Sequence, residues 1–191
     1  MEPLVPFRAA VGMDLRLGHT RSIFLEPIFT ALNDAGVRYV IVGGLATVLH
    51  GFSRLTHDVD LAVDLVPTEA ARVIEVLTGM GFRPRAPAPV DAHDVARAEV
   101  RASWLREKNM LVFSLYDPEN PLRVVDLFVA NPIEFEELWR GAEKVALQTT
   151  TVRIASTDHL IEMKRQAGRP RDMLDIEALE LIRREKAGSH G

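Results

Sequence analysis

The chain has no cysteine, which excludes disulfide frameworks, thiol nucleophiles and every cysteine-ligated zinc site. It has no stretch approaching the roughly eighteen consecutive apolar residues of a membrane span, and residues 1–8 lack the basic region and long apolar run of a signal peptide. It also lacks a basic excess. Its 23 Lys and Arg stand against 27 Asp and Glu, a net charge of −4, which argues against a sequence-independent nucleic-acid coat. No internal repeat and no low-complexity tract occurs. What is there is 191 residues, 47% hydrophobic and 26% charged, the profile of one ordinary globular domain with cytoplasm as the expected compartment and no membrane partner.

Residues 1–24 hold Pro3, Pro6, Gly12 and Gly18 with little periodicity and read as an irregular arm. Ile28, Ala31, Leu32 and Ala35 recur at helical spacing after Pro27, predicting a first helix near 25–35 that Gly36 stops. Val37 to Val42 is a β-branched run cut by Gly43-Gly44, after which a short helix ends at Gly51. His57 to Val63 alternates, with Val59 and Leu61 on one face and Asp58 and Asp60 on the other, as a strand requires. Pro67 opens a helix whose Ala71, Ile74, Val76 and Leu77 face inward. The stretch 83–90 carries Pro84, Pro87 and Pro89 and reads as a stiff loop, either a lid or a connector.

Further on, 91–108 reads as one helix with Val95, Ala98, Ala102 and Leu105 inward. Strands 110–115 and 123–129 follow, then a short helix at 133–138, a hairpin of 144–147 with 151–154, and two helices near 157–166 and 170–185. The fold class is α+β, divided as the arm 1–24, a domain 25–155 and a C-terminal helical extension 156–191 packed on it.

Asp58 and Asp60, two apart on one strand, project their carboxylates side by side, which is costly unless a cation sits between them. Hard oxygen donors of this kind select Mg²⁺ or Mn²⁺. The Gly43-Gly44 turn reads either as a tight strand-to-helix connection or as a source of open backbone N–H groups for a polyphosphate beside the metal. Asp126 sits among Val124, Val125, Leu127 and Phe128, either on the wet face of an edge strand or as a third ligand reaching across from a neighbouring strand.

Lys164 emerges along the packed face of its helix, where it either snorkels or contacts phosphate. Asp172 and Asp175 organise that basic region, and Asp175 wants a partner from Lys164, Arg169 or Arg171. The segment 164–171 is a local basic patch, whereas Arg83, Arg85, Arg97, Arg101, Arg106 and Lys108 read as solvated. The histidines carry no clear site: His50, on the short helix, reads as structural or as able to touch a nucleotide; His57 packs or meets solvent, Asp64 lies past the strand end, and Trp104 and Trp139 are core or partner-facing aromatics.

The run VGGLATVLHGFSRLTHDVDLAV with the later VVDLFV resembles the signature of the DNA polymerase β-like nucleotidyltransferase superfamily. Within it, the minimal nucleotidyltransferases and the AbiEii-like toxins of type IV toxin–antitoxin systems are the branches most similar, with Arg54 and Thr56 matching an Arg-x-Thr before the acids and KRQAGRPRDMLDIEAL matching a C-terminal Lys and Asp motif. The resemblance spans roughly 25–185 and implies a nucleotidyltransferase-like mixed sheet flanked by helices. It also implies transfer of an NMP from an NTP to a hydroxyl, with pyrophosphate released. Asp58, Asp60 and Asp126 would then hold two Mg²⁺ or Mn²⁺ ions, Asp126 would also deprotonate or orient the acceptor, Gly43, Gly44, Arg54, Thr56 and Lys164 would contact the nucleotide, and Arg171, Asp172 and Asp175 would support them. The implied acceptors are RNA such as tRNA, or protein, with a cognate antitoxin as partner. An antibiotic acceptor, and a catalytically silent nucleotide-binding partner protein, are the alternatives.

Overall fold

The computed structural model describes residues 5–6, 16–56, 58–85 and 91–188. Its centre is a mixed sheet of eight strands in the order β1-β7-β8-β2-β3-β6-β5-β4. The strands are β1 (Val5–Pro6), β2 (Tyr39–Val42), β3 (Asp58–Val63), β4 (Arg83–Pro84), β5 (Val112–Asp117), β6 (Asn120–Phe128), β7 (Glu143–Ala146) and β8 (Thr151–Ile154). The helices are α1 (Arg16–Asp34), α2 (Gly43–Leu49), α3 (Pro67–Gly79), α4 (Ala98–Lys108), α5 (Phe135–Gly141), α6 (Thr157–Ala167) and α7 (Asp172–Gly188). Among the described residues, no helix is long and apolar enough to cross a membrane.

The alternation in β3 sets the sheet's sides. Val59, Leu61, Phe113, Leu115, Val125 and Leu127 are at most 1% exposed and enter a core shared with Ile28, Phe29 and Leu32 of α1 and Val73, Ile74 and Leu77 of α3. β3 pairs antiparallel with β2 and parallel with β6, and the parallel pair is joined by a long crossover through α3, α4 and β5.

Several expectations are corrected. The first helix begins at Arg16 rather than near residue 25, so Pro27 lies inside it. The missing N–H and the ring cost a helix interior about 3 kcal/mol, and the burial of Ile28, Phe29 and Leu32 immediately afterwards offsets that. The arm is not wholly irregular either, since Val5 and Pro6 pair with Val145 and Ala146 at the sheet's edge, where a proline is tolerated. Likewise Arg83 and Pro84 pair with Tyr116 and Leu115 on the other edge; residues 86–90, and with them the lid question, lie outside the described residues.

The single helix expected over 91–108 is two. A 3-10 helix, Ala92–Ala96, is capped by Asp91, and the chain breaks at Arg97 before α4. The break turns Ala98, Ala102 and Leu105 outward and buries Arg101 and Trp104 instead. Trp104 stacks on Phe113 with centroids 5.5 Å apart, and Arg101, read as solvated from sequence, donates to the carbonyls of Val95 (2.5 Å) and Leu65 (3.1 Å). In α3 the buried positions are Ala70, Val73, Ile74 and Leu77, so Ala71 and Val76 sit at the flanks of the packed stripe. The β5–β6 turn shortens to Pro118-Glu119, because Asp117 accepts from the Glu119 N–H (2.9 Å) and lets both strands run on.

Buried Glu26 ties α1 to the β7–β8 turn by accepting from the N–H groups of Gln148 (3.0 Å) and Thr149 (2.8 Å) and from the Thr149 hydroxyl. Glu26→Ala leaves those donors unmet and should cost about 2 kcal/mol. Thermal unfolding should record this as a fall of about 4–8 °C, and a fall under about 1 °C would show the turn is held by its own strands.

Candidate active site

β2 delivers its last residue, Val42, to α2 through Gly43, whose φ of +62° lies in the left-handed region. A Cβ on Gly43 would overlap the Asp60 carboxylate, and one on Gly44 would come 2.6 Å from Thr56 Oγ1 and 3.4 Å from Arg54 Cζ. The glycine pair is therefore required for side chains to approach the backbone, and the Gly44 N–H donates to Asp60.

Asp60 lies opposite Asp126 in the parallel β3–β6 register, two residues along from the Asp58–Val124 pair, so all three acids share the sheet face turned away from the core. Asp58 is exposed; Asp60 and Asp126 are half-buried. Burial, then the charges of Asp126 and Asp58, push the Asp60 carboxyl up to about 6 against the opposing pull of the Gly44 N–H and Lys164. Burial also raises Asp126, a rise that the Ser114 hydroxyl opposes by donating to it, that Asp58 adds to and that Arg85 counters. Its buried Oδ1 has no hydrogen-bond partner among the described residues. Among those residues no three acids or histidines converge closely enough to form a ready metal cage.

A second cluster stands beside the first. Lys164, with its side chain 8% exposed, donates to Asp175 Oδ2 at 2.6 Å and lies 3.7 Å from Asp172 Oδ1. Arg54 donates to the same Asp175 oxygen. Of the three partners expected for Asp175, Lys164 is the one found, and Arg54 is the one sequence reasoning missed, 121 positions away. Arg169 and Arg171 are exposed. Of the two readings of His50, the structural one matches its surroundings: it is 6% exposed, its Nε2 bonds the Ala155 carbonyl (2.8 Å) and its Nδ1 lies 3.2 Å from Lys186 Nζ, with burial holding its pKa below the usual value. His57 lies outside the described residues. Asp64 is a loop residue, as expected, paired with Arg38 at 2.9 Å. Trp139, half-buried, stacks under Arg153, whose Cζ is 4.1 Å from its ring centroid.

Residues 27–186 match the family model described as nucleotidyltransferase of unknown function (DUF6036). The chain belongs to this nucleotidyltransferase family. No curated protein matches it in sequence. In fold, this nucleotidyltransferase is similar to the lincosamide antibiotic adenylyltransferase LnuA solved with lincomycin, at TM-score 0.54 and 18% identity over 85% of this chain and 96% of that one. It is similar also to ANT(2″)-Ia in complex with adenylyl-2″-tobramycin, at TM-score 0.53 and 14% identity over 90% of this chain and 99% of that one. A nucleotidyltransferase-like protein from Paracoccidioides brasiliensis aligns at TM-score 0.50 and 18% identity over 83% of this chain and 74% of that one.

The raised Asp60 sets a pH dependence. The folded protein holds this proton more tightly than the unfolded chain, so the contribution is most favourable below the unfolded value and is lost as pH rises through about 6. At pH 7.5 without divalent metal, Asp60→Asn should therefore unfold at a higher temperature than the parent, by up to about 3 kcal/mol of stability, while still accepting from Gly44. The gap should close toward pH 4; melting curves that stay parallel across this range would mean the Asp60 charge costs the fold nothing.

Proposed function

We propose that this nucleotidyltransferase moves an NMP from an NTP to a hydroxyl acceptor, using Asp58, Asp60 and Asp126 as the acids of the reaction. The observation that carries the reading is the Asp60–Asp126 register beside the Gly43-Gly44 turn, with Asp58 on the same face. The donor set fits a divalent cation: three hard carboxylates on one face, one with an unpartnered buried oxygen and one held up in pKa by burial and then by its like-charged neighbours. Mg²⁺ or Mn²⁺, held by Asp58, Asp60 and Asp126, would when bound withdraw charge from the α-phosphate and the departing pyrophosphate.

The remaining work belongs to the chain. Gly43 and Gly44 let the Asp60 carboxylate, Thr56 and the Arg54 guanidinium lie against the backbone, which gathers these groups where the triphosphate would bind. Arg54 and Lys164 supply positive charge, and Asp175, aided by Asp172, holds both cations in place before the nucleotide arrives. Asp126 accepts the proton of the acceptor hydroxyl as that oxygen bonds to the α-phosphorus and the bond from that phosphorus to the bridging oxygen breaks, releasing pyrophosphate. In this reading 25–155 is the catalytic domain and 156–191 the extension that contributes Lys164, with Arg171 at its exposed turn.

The AbiEii-like signature and the basic segment 164–171 support an RNA or protein acceptor and a cognate antitoxin. The fold shared with two antibiotic-modifying enzymes favours a small-molecule hydroxyl as the second reading.

Calorimetry should find NTP binding with Mg²⁺ or Mn²⁺ and at least about a hundredfold weaker binding in EDTA, since one tenfold step is about 1.4 kcal/mol. Asp58→Ala and Asp126→Ala should fold and lose turnover by about a thousandfold or more, equivalent to about 4 kcal/mol. Lys164→Ala, assayed where circular dichroism shows it folded, should weaken NTP binding about tenfold. Equal NTP affinity with and without metal, or full turnover in the Asp variants, would overturn the assignment.

A further inference from the structure

The outer half of the sheet carries a surface that the nucleotide chemistry does not use. Cross-strand neighbours share a face, so the strand registers define two rows on the side turned away from the core. One runs Asp60, Asp126, Ser114 and on to Arg85, whose N–H donates to the Ser114 carbonyl at 2.9 Å. The other runs Asp58, Val124, Tyr116, Arg83. Each row begins with one of the proposed catalytic acids and ends in an arginine at the sheet's edge, Arg83 in β4 and Arg85 immediately after it.

Between those ends the surface is partly covered and half apolar: Val124 is 4% exposed, Ser114 and Tyr116 are half-buried, and Arg83 and Arg85 are exposed. The Tyr116 ring stacks on no other ring, and neither arginine has a carboxylate within ion-pairing distance, among the described residues. Arg85 nevertheless lies near enough to Asp126 to act on its charge. With strands about 4.8 Å apart, Asp126 and Arg85 are separated by about 10 Å at the backbone, a span that a nucleotide unit fills.

Resting on the nucleotidyl-transfer reading, we infer that this surface is the acceptor platform and that it takes the single-stranded end of a polynucleotide. Tyr116 stacks the terminal base, Arg83 and Arg85 contact the backbone phosphates, and the terminal hydroxyl is presented to Asp126. An aromatic floor with a basic rim is how a sheet binds single strands, because every base has a π-face and every unit has a phosphate. A polycationic sugar would meet two like-charged arginines instead. The bond formed joins the terminal hydroxyl oxygen to the α-phosphorus, with the proton passing to Asp126 and pyrophosphate leaving.

The test uses the full chain, short 5′-fluorescent RNA and DNA oligonucleotides of one sequence with free 3′-hydroxyls, and α-labelled NTPs. Fluorescence anisotropy should find oligonucleotide affinity about tenfold weaker in Tyr116→Ala and preserved in Tyr116→Phe, which keeps the ring. For Arg83→Ala combined with Arg85→Ala, the slope of log affinity against log salt between about 50 and 200 mM KCl should fall by about 1.4, two phosphate contacts on a single strand. Label should pass to RNA or DNA, whichever sugar the site accepts. Oligonucleotide affinity equal in the parent and all three variants would overturn the platform, as would label passing to tobramycin, lincomycin or a Ser/Thr/Tyr peptide and not to either oligonucleotide. A parent that binds no NTP with Mg²⁺ would instead remove the nucleotidyl-transfer reading, and the binding measurements would still decide the platform.

Discussion

The parallel pairing of β3 with β6 is the constraint on which the site depends. It sets Asp60 against Asp126 and Asp58 against Val124, bringing like charges together on one face. Left to themselves those charges would drive the strands apart or slip their register. The opposite face prevents it: Val59, Leu61, Val125 and Leu127 are fully buried, each worth about 1.5–3 kcal/mol, and a slip of one residue would turn all four to water. The apolar face outweighs a carboxylate cost of about 3 kcal/mol at Asp60, so the protein can carry a carboxylate that burial and its like-charged neighbours both disfavour.

The glycine pair and the C-terminal helices serve the same geometry from two sides. Gly43 allows the Asp60 carboxylate against the backbone of the β2–α2 junction, and Gly44 admits Thr56 and the Arg54 guanidinium. Arg54 would be a loosely held loop cation without Asp175, which grips it together with Lys164 on one oxygen. Because Asp175 is 3% exposed, losing either cation leaves a buried carboxylate less compensated, so α6 and α7 couple the stability of the extension to the placement of Lys164 and Arg54.

What could be read from the chain was what repeats locally. The alternation around Asp58 and Asp60, the glycine stop after β2, the hairpin near 144–154 and the last two helices are all set within a few residues, and all are present. The nucleotidyltransferase fold and family were legible through the same signature. The misses have long-range causes. Pro27 marks a helix start by local rules, and only packing shows that the helix runs through it. The break at Arg97 rotates α4 so that Trp104 meets Phe113, a contact no helical wheel over 91–108 contains. Arg54 and Asp175 are 121 positions apart, and nothing near either names the other. Ser114, Tyr116, Arg83 and Arg85 were hidden for a related reason: their shared face exists only once β6 lies between β3 and β5.

The cations around the three acids divide by how firmly they are held. Lys164 is buried and Arg54 partly so, and both are pinned to a carboxylate that leaves them little freedom. Arg83, on β4, and Arg85, immediately after it, are exposed at the edge of the sheet, where β4 pairs with β5. A triphosphate is the same in every NTP, so fixed charges preorganised before binding serve it best and spare the entropy of ordering them at each turnover. An acceptor that differs in base and backbone trajectory from one molecule to the next is served by mobile side chains around a flat ring, which lose little when the ligand changes. On the proposed reading, the two banks of charge ask for different ligands, and the acids that the β3–β6 register sets between them would stand where a phosphorus held by one side meets an oxygen offered by the other.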